Sequence, residues 1–367
     1  ALNRGLSSWV WRSWEVTRPW LRRDHKRNDT PLLSRPIRAI TGRFAMRERW
    51  AQDIDARARS YWTEARTRGL LGTKHLILPP SEYGPLLRAM GLLKADASMG
   101  PESVRKYMQI SHMLTLIEPQ IEELKRQNSE VFILDLACGN SYLTFTIATS
   151  LAHRLRHPGQ VLGVDRNLRL IEACRERAWR LGLEDILRFE ASNIEEVDVQ
   201  KAWQRAFGKN ADGTVHLLLA LHACDTATDE ALALGISWNV PSMAVAPCCQ
   251  GELAKTWAEG EFDDAFMPIR RWPHLRREVA ATMTDALRAL ILEGCGYEAN
   301  PIEFVPSAHT PKNTLLRANR RGQGSPESFR EYVALRNALG GMSIHLERLL
   351  TEPHRSHLNA LLMQRPH

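Results

Sequence analysis

The chain has 367 residues, 44% hydrophobic and 25% charged, the composition of a folded globular protein with room for one large domain or two ordinary ones. It contains no apolar run long enough for a transmembrane helix, which takes about 20 residues, and its six cysteines lack disulfide-like spacing. A chain of this size needs no covalent staples, so a reducing compartment is expected, a cytoplasm or a mitochondrial matrix. The net charge of +7 is uneven: residues 1–50 hold 12 Lys and Arg against 4 Asp and Glu, and the rest is close to neutral.

Residues 1–45 form the basic arm, with Trp9, Trp11, Trp14 and Trp20 between arginines and prolines at Pro19, Pro31 and Pro36. Arginine beside aromatic rings can contact phosphates and stack on bases, so RNA is one partner such an arm implies. Arg-rich, acid-poor termini also serve as organellar presequences. A third use is docking on the chain's own body, on a protein partner or within a ribonucleoprotein. No membrane partner is expected. Residues 46–127 read as a helical region, with helices over 45–68, 81–92 and 101–127 and breakers at Gly69, Gly72, Pro79 and Pro80. From 128 to 320 strands and helices alternate. Strands are expected at 131–136, 160–165, 186–190, 215–221 and 242–246, and helices at 142–156 and 168–181. A helix over 275–293 leads to closing strands at 297–305 and 314–318. Residues 321–367 read as a C-terminal helical segment, two helices parted by Gly340 and Gly341. Alternating βαβ units imply an α/β fold, a parallel sheet covered by helices on both faces.

The stretch 131–143, VFILDLACGNSYL, carries an acid at the end of an apolar strand and turns through Ala137-Cys138-Gly139 into a helix. Gly139 has no Cβ, so a ligand can approach the backbone closely. In an open α/β sheet, ligands bind beyond the carboxyl ends of the strands, where this turn sits. The G-x-G-x-x-G form is missing, which argues against a nicotinamide cofactor. Asp165, in GVDRN, ends the next strand. A carboxylate there can accept hydrogen bonds from vicinal ribose hydroxyls, or it can cap the following helix. With the glycine loop one strand earlier, the ligand reading is preferred. Ser192 and Asn193 follow the third strand, where an adenine ring would lie, although such a pair also makes ordinary turns.

Six motifs in order, RKYMQISHML (105–114), DLACGNSYLTF (135–145), LHACDTATDEAL (221–232), APCCQ (246–250), TDALRALILEGCGY (284–297) and EFVPSAHTPKN (303–313), carry a family resemblance. They resemble class I S-adenosylmethionine (SAM) methyltransferases with His-Ala-Cys-Asp and Pro-Cys-Cys motifs. These methyltransferase-like proteins are related to tRNA acceptor-stem 2′-O-methyltransferases. The resemblance implies a Rossmann-like sheet of order 3-2-1-4-5-7-6 with a helical N-terminal extension and C-terminal helices. It implies SAM as cofactor, held by Asp135, Ala137, Cys138, Gly139, Asn140, Asp165, Arg166, Ser192 and Asn193. Asn140 departs from the pattern, since many relatives carry Lys there. The implied activity is methyl transfer; the motifs do not name the acceptor, and structured RNA, tRNA or rRNA, is the expectation drawn from the basic arm. Two alternatives stay open: a methyltransferase-fold subunit or assembly factor of a ribonucleoprotein with reduced activity, and a methyltransferase acting on protein or a small molecule.

The motifs at the ends of strands four and five lie beside the cofactor turn, where an acceptor must arrive. Alignment of donor and acceptor supplies much of the rate of such a transfer, and a hydroxyl acceptor also benefits from a base. His222 and Asp225 are the catalytic candidates. For each, a bland role competes: His222 as a tie for its loop, Asp225 as a helix N-cap. Asp229 is expected to face solvent or brace its own helix. Pro247, Cys248, Cys249 and Gln250, with Lys312 and Asn313, are the expected acceptor contacts, though Thr-Pro-Lys-Asn is also plain turn chemistry. Four cysteines (Cys138, Cys224, Cys248, Cys249) fall at this edge without paired C-x-x-C ligands, so no metal is expected. Arg270, Arg271, Arg276 and Arg277 surround Trp272 and read either as an extension of an RNA path or as a solvated helix start.

Overall fold

In the computed structural model the described residues are 37–72, 76–208, 215–221, 223–247, 250–259, 266–304 and 314–363, with side chains described from residue 46 onward. The N-terminal region contributes α1 (Ile37–Tyr61), α2 (Glu64–Leu71), α3 (Gly84–Ala89) and α4 (Pro101–Gln127). Then follow β1 (Val131–Leu136), α5 (Tyr142–Thr149) running into a π-helical turn (Ser150–Leu155), β2 (Gly159–Asp165), α6 (Leu168–Leu181), β3 (Leu187–Ala191) and α7 (Val199–Phe207). Next come β4 (Leu217–Ala220), α8 (Thr226–Ser237), β5 (Ser242–Val245), α9 (Glu252–Glu259), α10 (Met267–Arg270) and α11 (Pro273–Gly294). The chain closes with β6 (Tyr297–Glu303), β7 (Thr314–Arg320), α12 (Pro326–Ala338), α13 (His345–Leu349) and α14 (His354–Leu362).

The seven strands form one sheet in the order β3-β2-β1-β4-β5-β7-β6, as the resemblance implies. β1 to β5 are mutually parallel, and β7 runs antiparallel to both β5 and β6. The order reverses beside β1, which pairs with β2 on one side and β4 on the other. That is where a crevice opens at the carboxyl ends of an open α/β sheet. All six residues of β1 are buried, and they alternate between faces. Val131 and Ile133 join a core with Trp62, Leu86, Tyr107, Phe145 and Ile171 from the N-terminal side of the fold. Phe132, Leu134 and Leu136 join a core with Trp203, Ile236, Leu287 and Phe329 on the other face.

Several expected elements divide. The helix read over 45–68 breaks after Tyr61. Trp62 turns inward, 2% exposed, and its indole N–H donates to Ala97 O at 2.8 Å. Thr63 then starts α2, its hydroxyl accepting from Arg66 N–H. α1 begins at Ile37, so the last part of the segment read as arm is helical. The helix read over 142–156 changes to a π turn at Ser150. Among its described residues the C-terminal segment holds three helices rather than two, because the chain after Gly341 turns through short α13 before α14. The crossover helix α7, which the sequence reading did not place, starts at Asp198, whose carboxylate accepts from Lys201 N–H at 3.0 Å.

Candidate cofactor and acceptor site

The turn after β1 is built on left-handed backbone at alternate positions: Ala137 (φ 53°), Gly139 (φ 55°) and Ser141 (φ 59°). Only glycine adopts this region without penalty, and such strain gathers at ligand sites. Three contacts over-determine it. Cys138 N–H donates to Val164 O at 3.0 Å, Ser141 N–H to Cys138 O at 2.8 Å, and Gly139 N–H to Asp165 Oδ2 at 2.9 Å. Gly163 makes room for the turn, since a Cβ there would lie 2.7 Å from the Phe189 ring and 3.1 Å from Cys138 Sγ.

Asp165 therefore does more than end β2. Its second oxygen, Oδ1, accepts from Asn167 N–H at 2.8 Å. The helix-capping role open in the sequence falls instead to Asn167, whose Oδ1 accepts from Arg169 and Leu170 N–H. An ionised carboxylate has about four lone-pair sites, and each Asp165 oxygen has spent one on backbone. A lone pair on each oxygen is left for a pair of hydroxyls. Arg166 and Asn193 are exposed beside it, and Ser192 is tied back by its N–H to Asp165 O at 3.1 Å. Leu168, 53% exposed at the start of α6, adds an apolar surface that the sequence reading did not single out.

Asp135 is buried, 4% exposed, and its Oδ2 accepts from Thr144 Oγ1 at 2.5 Å. Burial pushes its carboxyl up to about 7, helped by the nearby Asp165 charge and opposed by the Thr144 hydrogen bond. Two cations stand beside the loop. Arg177 donates to Asn140 O at 3.0 Å, and Lys106 Nζ lies 3.3 Å from Tyr142 Oη and 4.6 Å from that ring's centre. Burial holds Lys106 below the usual lysine range. Cations from α4 and α6 thus flank the loop although position 140 is Asn. Cys138 is buried, and its thiol is pushed well above the usual range by burial first and Asp135 second. That is a packing role for this cysteine.

On the acceptor side, Asp225 follows β4 with φ 55° and ψ −120° and makes no side-chain bond to its own helix α8. Its Oδ1 accepts from Gly251 N–H at 2.9 Å and Glu252 N–H at 3.1 Å, so it caps α9 and ties the β4 and β5 loops together. Gln250 is buried, and its Nε2 donates to both oxygens of Asp285, each at 3.0 Å. That pairing points Oε1 away from the carboxylate, and this buried oxygen has no hydrogen-bond partner among the described residues. Pro247 is buried at the end of β5, and Cys224 is exposed. His222, Cys248, Cys249, Lys312 and Asn313 lie outside the described residues. Among the described residues no group of three His, Cys, Asp or Glu could hold a metal ion.

Behind these loops lies a buried charge cluster that the sequence reading missed. Arg288, 1% exposed, donates Nε and a terminal nitrogen to Asp229 Oδ1 (2.9 Å) and Oδ2 (2.8 Å). It also reaches Asp285 Oδ1 at 3.3 Å and the Asp225 carbonyl at 3.0 Å. Asp229 is 1% exposed, so the expectation that it faces solvent or braces its own helix is corrected: it pins α8 to α11. Burial raises the Asp285 carboxyl, with Arg288 opposing. The available signal was Arg288 itself, a charge among the apolar residues of ALRALILEG.

Residues 105–256 match the family described as a methyltransferase domain. With the strand order, that decides the reading. Residues 105–256 carry a methyltransferase domain, on a sheet of class I order. Its cofactor is S-adenosylmethionine, and the residues present suit it: an acid with lone pairs to spare at the end of β2, a glycine turn at the end of β1, and cations beside that turn. Solved structures similar to the chain include three methyltransferases. A SAH-bound enzyme from Podospora anserina is 10% identical, with a TM-score of 0.39 over 71% of this chain and 95% of the other. Magnesium protoporphyrin IX methyltransferase from Synechocystis, with bound SAH, is 14% identical, with a TM-score of 0.37 over 65% and 94%. A SAM-bound amino pentose methyltransferase from Micromonospora echinaspora is 13% identical, with a TM-score of 0.32 over 58% and 91%. These low scores carry nothing on activity or acceptor. No curated protein matches the sequence.

Proposed function

We propose that the methyltransferase domain acts on structured RNA, tRNA or rRNA, taking its acceptor at the loops that follow β4 and β5. The observation that carries the site assignment is the pairing of those loops: Asp225 joins them directly, and Arg288 and Asp285 hold both from behind. When bound, SAM supplies an electrophilic methyl group carried on a sulfonium. Asp165 and the turn at Gly139 hold the nucleoside end, and Asp135 presents a buried carboxyl at the foot of that turn. Asp225 keeps the acceptor loops in register, with its Oδ1 committed to backbone. The buried Oε1 of Gln250 offers an acceptor for an N–H or O–H on the incoming group. His222 is assigned the base for a hydroxyl acceptor on its sequence position alone.

The RNA reading is supported by the motif resemblance to tRNA 2′-O-methyltransferases and by the Arg- and Trp-rich composition of residues 1–45. The test incubates the full chain with methyl-labelled SAM and RNA lacking the modification, taken from a strain deleted for the gene, and maps the labelled nucleotide. Label at a single RNA position is expected. Label confined to protein or to small molecules would overturn the RNA reading and leave the methyltransferase domain standing.

A further inference from the structure

The segment between α9 and the first turns of α11 presents an unusual surface. Met267 is 48% exposed, Trp272 54% and Leu275 42%. Arg271, Pro273, His274 and Arg277 are exposed among them. The stretch 267–277 is nevertheless held at Arg270 and Arg276. Buried Arg270 donates to Trp257 O from Nε (3.3 Å) and a terminal nitrogen (3.2 Å), and Arg276 donates to Arg270 O at 2.8 Å. Leaving a tryptophan, a leucine and a methionine in water on a fixed platform has no folding benefit, and such patches mark contact sites. Arg271 and Arg277 are in no ion pair among the described residues, while Glu278 faces His274 at 3.4 Å. The Arg271 guanidinium lies 5.2 Å from the Trp272 ring centre.

Position gives this surface its meaning. Asp285, on α11, reaches Gln250 at the carboxyl end of β5. Trp272 is 13 residues earlier, just ahead of α11. At the helical rise of 1.5 Å per residue, α11 carries Trp272 roughly 20 Å along its axis from the level of Asp285. The platform therefore lies along α11 from the acceptor loops, on the carboxyl-edge side of the sheet.

We infer that the Met267–Arg277 platform is a docking surface for the acceptor RNA, with Trp272 stacking on an unpaired base and Arg271 and Arg277 meeting phosphates. This rests on the RNA reading above and names where the RNA is gripped. The chemistry is that of single-stranded and junction recognition, in which an aromatic face takes any base and guanidinium groups track the backbone. A purely apolar partner would leave both arginines without an ion pair among the described residues, and RNA satisfies ring and charges together.

The test measures polarisation of a fluorescein-labelled RNA hairpin with a 3′ single-stranded overhang, titrated with the full chain over a range of salt. SAH calorimetry and thermal melting run alongside as controls for the fold. W272A is expected to weaken the hairpin by about tenfold, with W272F close to the parent. R271E/R277E is expected to flatten the salt dependence by about one to two units of log K per log salt. R126E, in the last turn of α4, leaves both unchanged. Parent-like affinity and salt slope in both W272A and R271E/R277E would overturn the docking surface while leaving the RNA reading intact. Failure of the parent chain to bind the hairpin, with SAH binding normal, would overturn both. A concentration-dependent dimer that W272A abolishes without touching RNA affinity would assign the platform to a second copy instead.

Discussion

Asp165 holds two backbone N–H groups at once, on Gly139 and on Asn167, which makes it a structural keystone as well as a ligand group. Asp165→Ala is expected to lower SAH affinity at least tenfold and to cost about 3 kcal/mol of stability, since two hydrogen bonds to a charged group are lost at about 1.5–3 kcal/mol each. Calorimetry with SAH and urea unfolding separate the two losses. Asp135 makes a different prediction, about pH. Its carboxyl titrates near 3.8 when unfolded and at about 7 when folded, so between those values the folded state carries the extra proton. Its contribution to stability is therefore full below pH 3.8, falls as pH rises, and is lost above about 7, a change of roughly 4 kcal/mol from this group alone. Asp135→Asn removes that slope. The variant's melting temperature should gain on the parent from pH 4 to pH 7 and hold its lead above; a constant offset across that range would contradict the assignment. Both positions stood out in the sequence, Asp135 as an acid ending a strand before a glycine turn and Asp165 as an acid ending the next strand, where a helix cap stayed open as well. Thr144, which tempers Asp135, was not, since a threonine in the first turns of an apolar helix has no distinctive pattern.

Between elements, the buried cluster on α8 and α11 decides how the acceptor loops sit. Removing one member of a buried ion pair strands its partners, at a cost of about 3–5 kcal/mol. Arg288→Met should lose roughly that much in urea unfolding, because Asp229 and Asp285 would be left buried together. Adding Asp229→Asn should recover part of it by removing one stranded charge. Arg288→Lys should fall between, since an ammonium cannot form the two parallel bonds to Asp229. Sequence patterning placed both helices but not their union. The fork between Arg288 and Asp229 spans 59 positions, and local periodicity carries no information about partners that far apart. The same holds for Asp225, whose apparent helix-cap context hid a bond to the next loop.

Across the molecule, basic charge is concentrated outside the motif-bearing body, in residues 1–45. Deleting residues 1–36 is expected to leave SAH affinity near the parent value, because the contacts that hold the β1 turn come from residues 138–167. It should lower RNA affinity at low salt and flatten its salt dependence, since each lost phosphate contact reduces the slope by about 0.7–0.9. An unchanged slope would remove the arm from the RNA path. Among the described residues no helix is long and apolar enough to cross a membrane.

Periodicity and strand-end chemistry alone determined the α/β alternation, the β1 turn and the acid at the end of β2. Each depends on residues close together in the chain, where the repeat of apolar side chains and the needs of a tight turn constrain one another. The joining of the β4 and β5 loops, the burial of Asp229 and the outward reach of the Trp272 platform were decided by tertiary structure. Their partners are distant in sequence, and only the packing of α8 and α11 against a common sheet brings them within hydrogen-bonding distance.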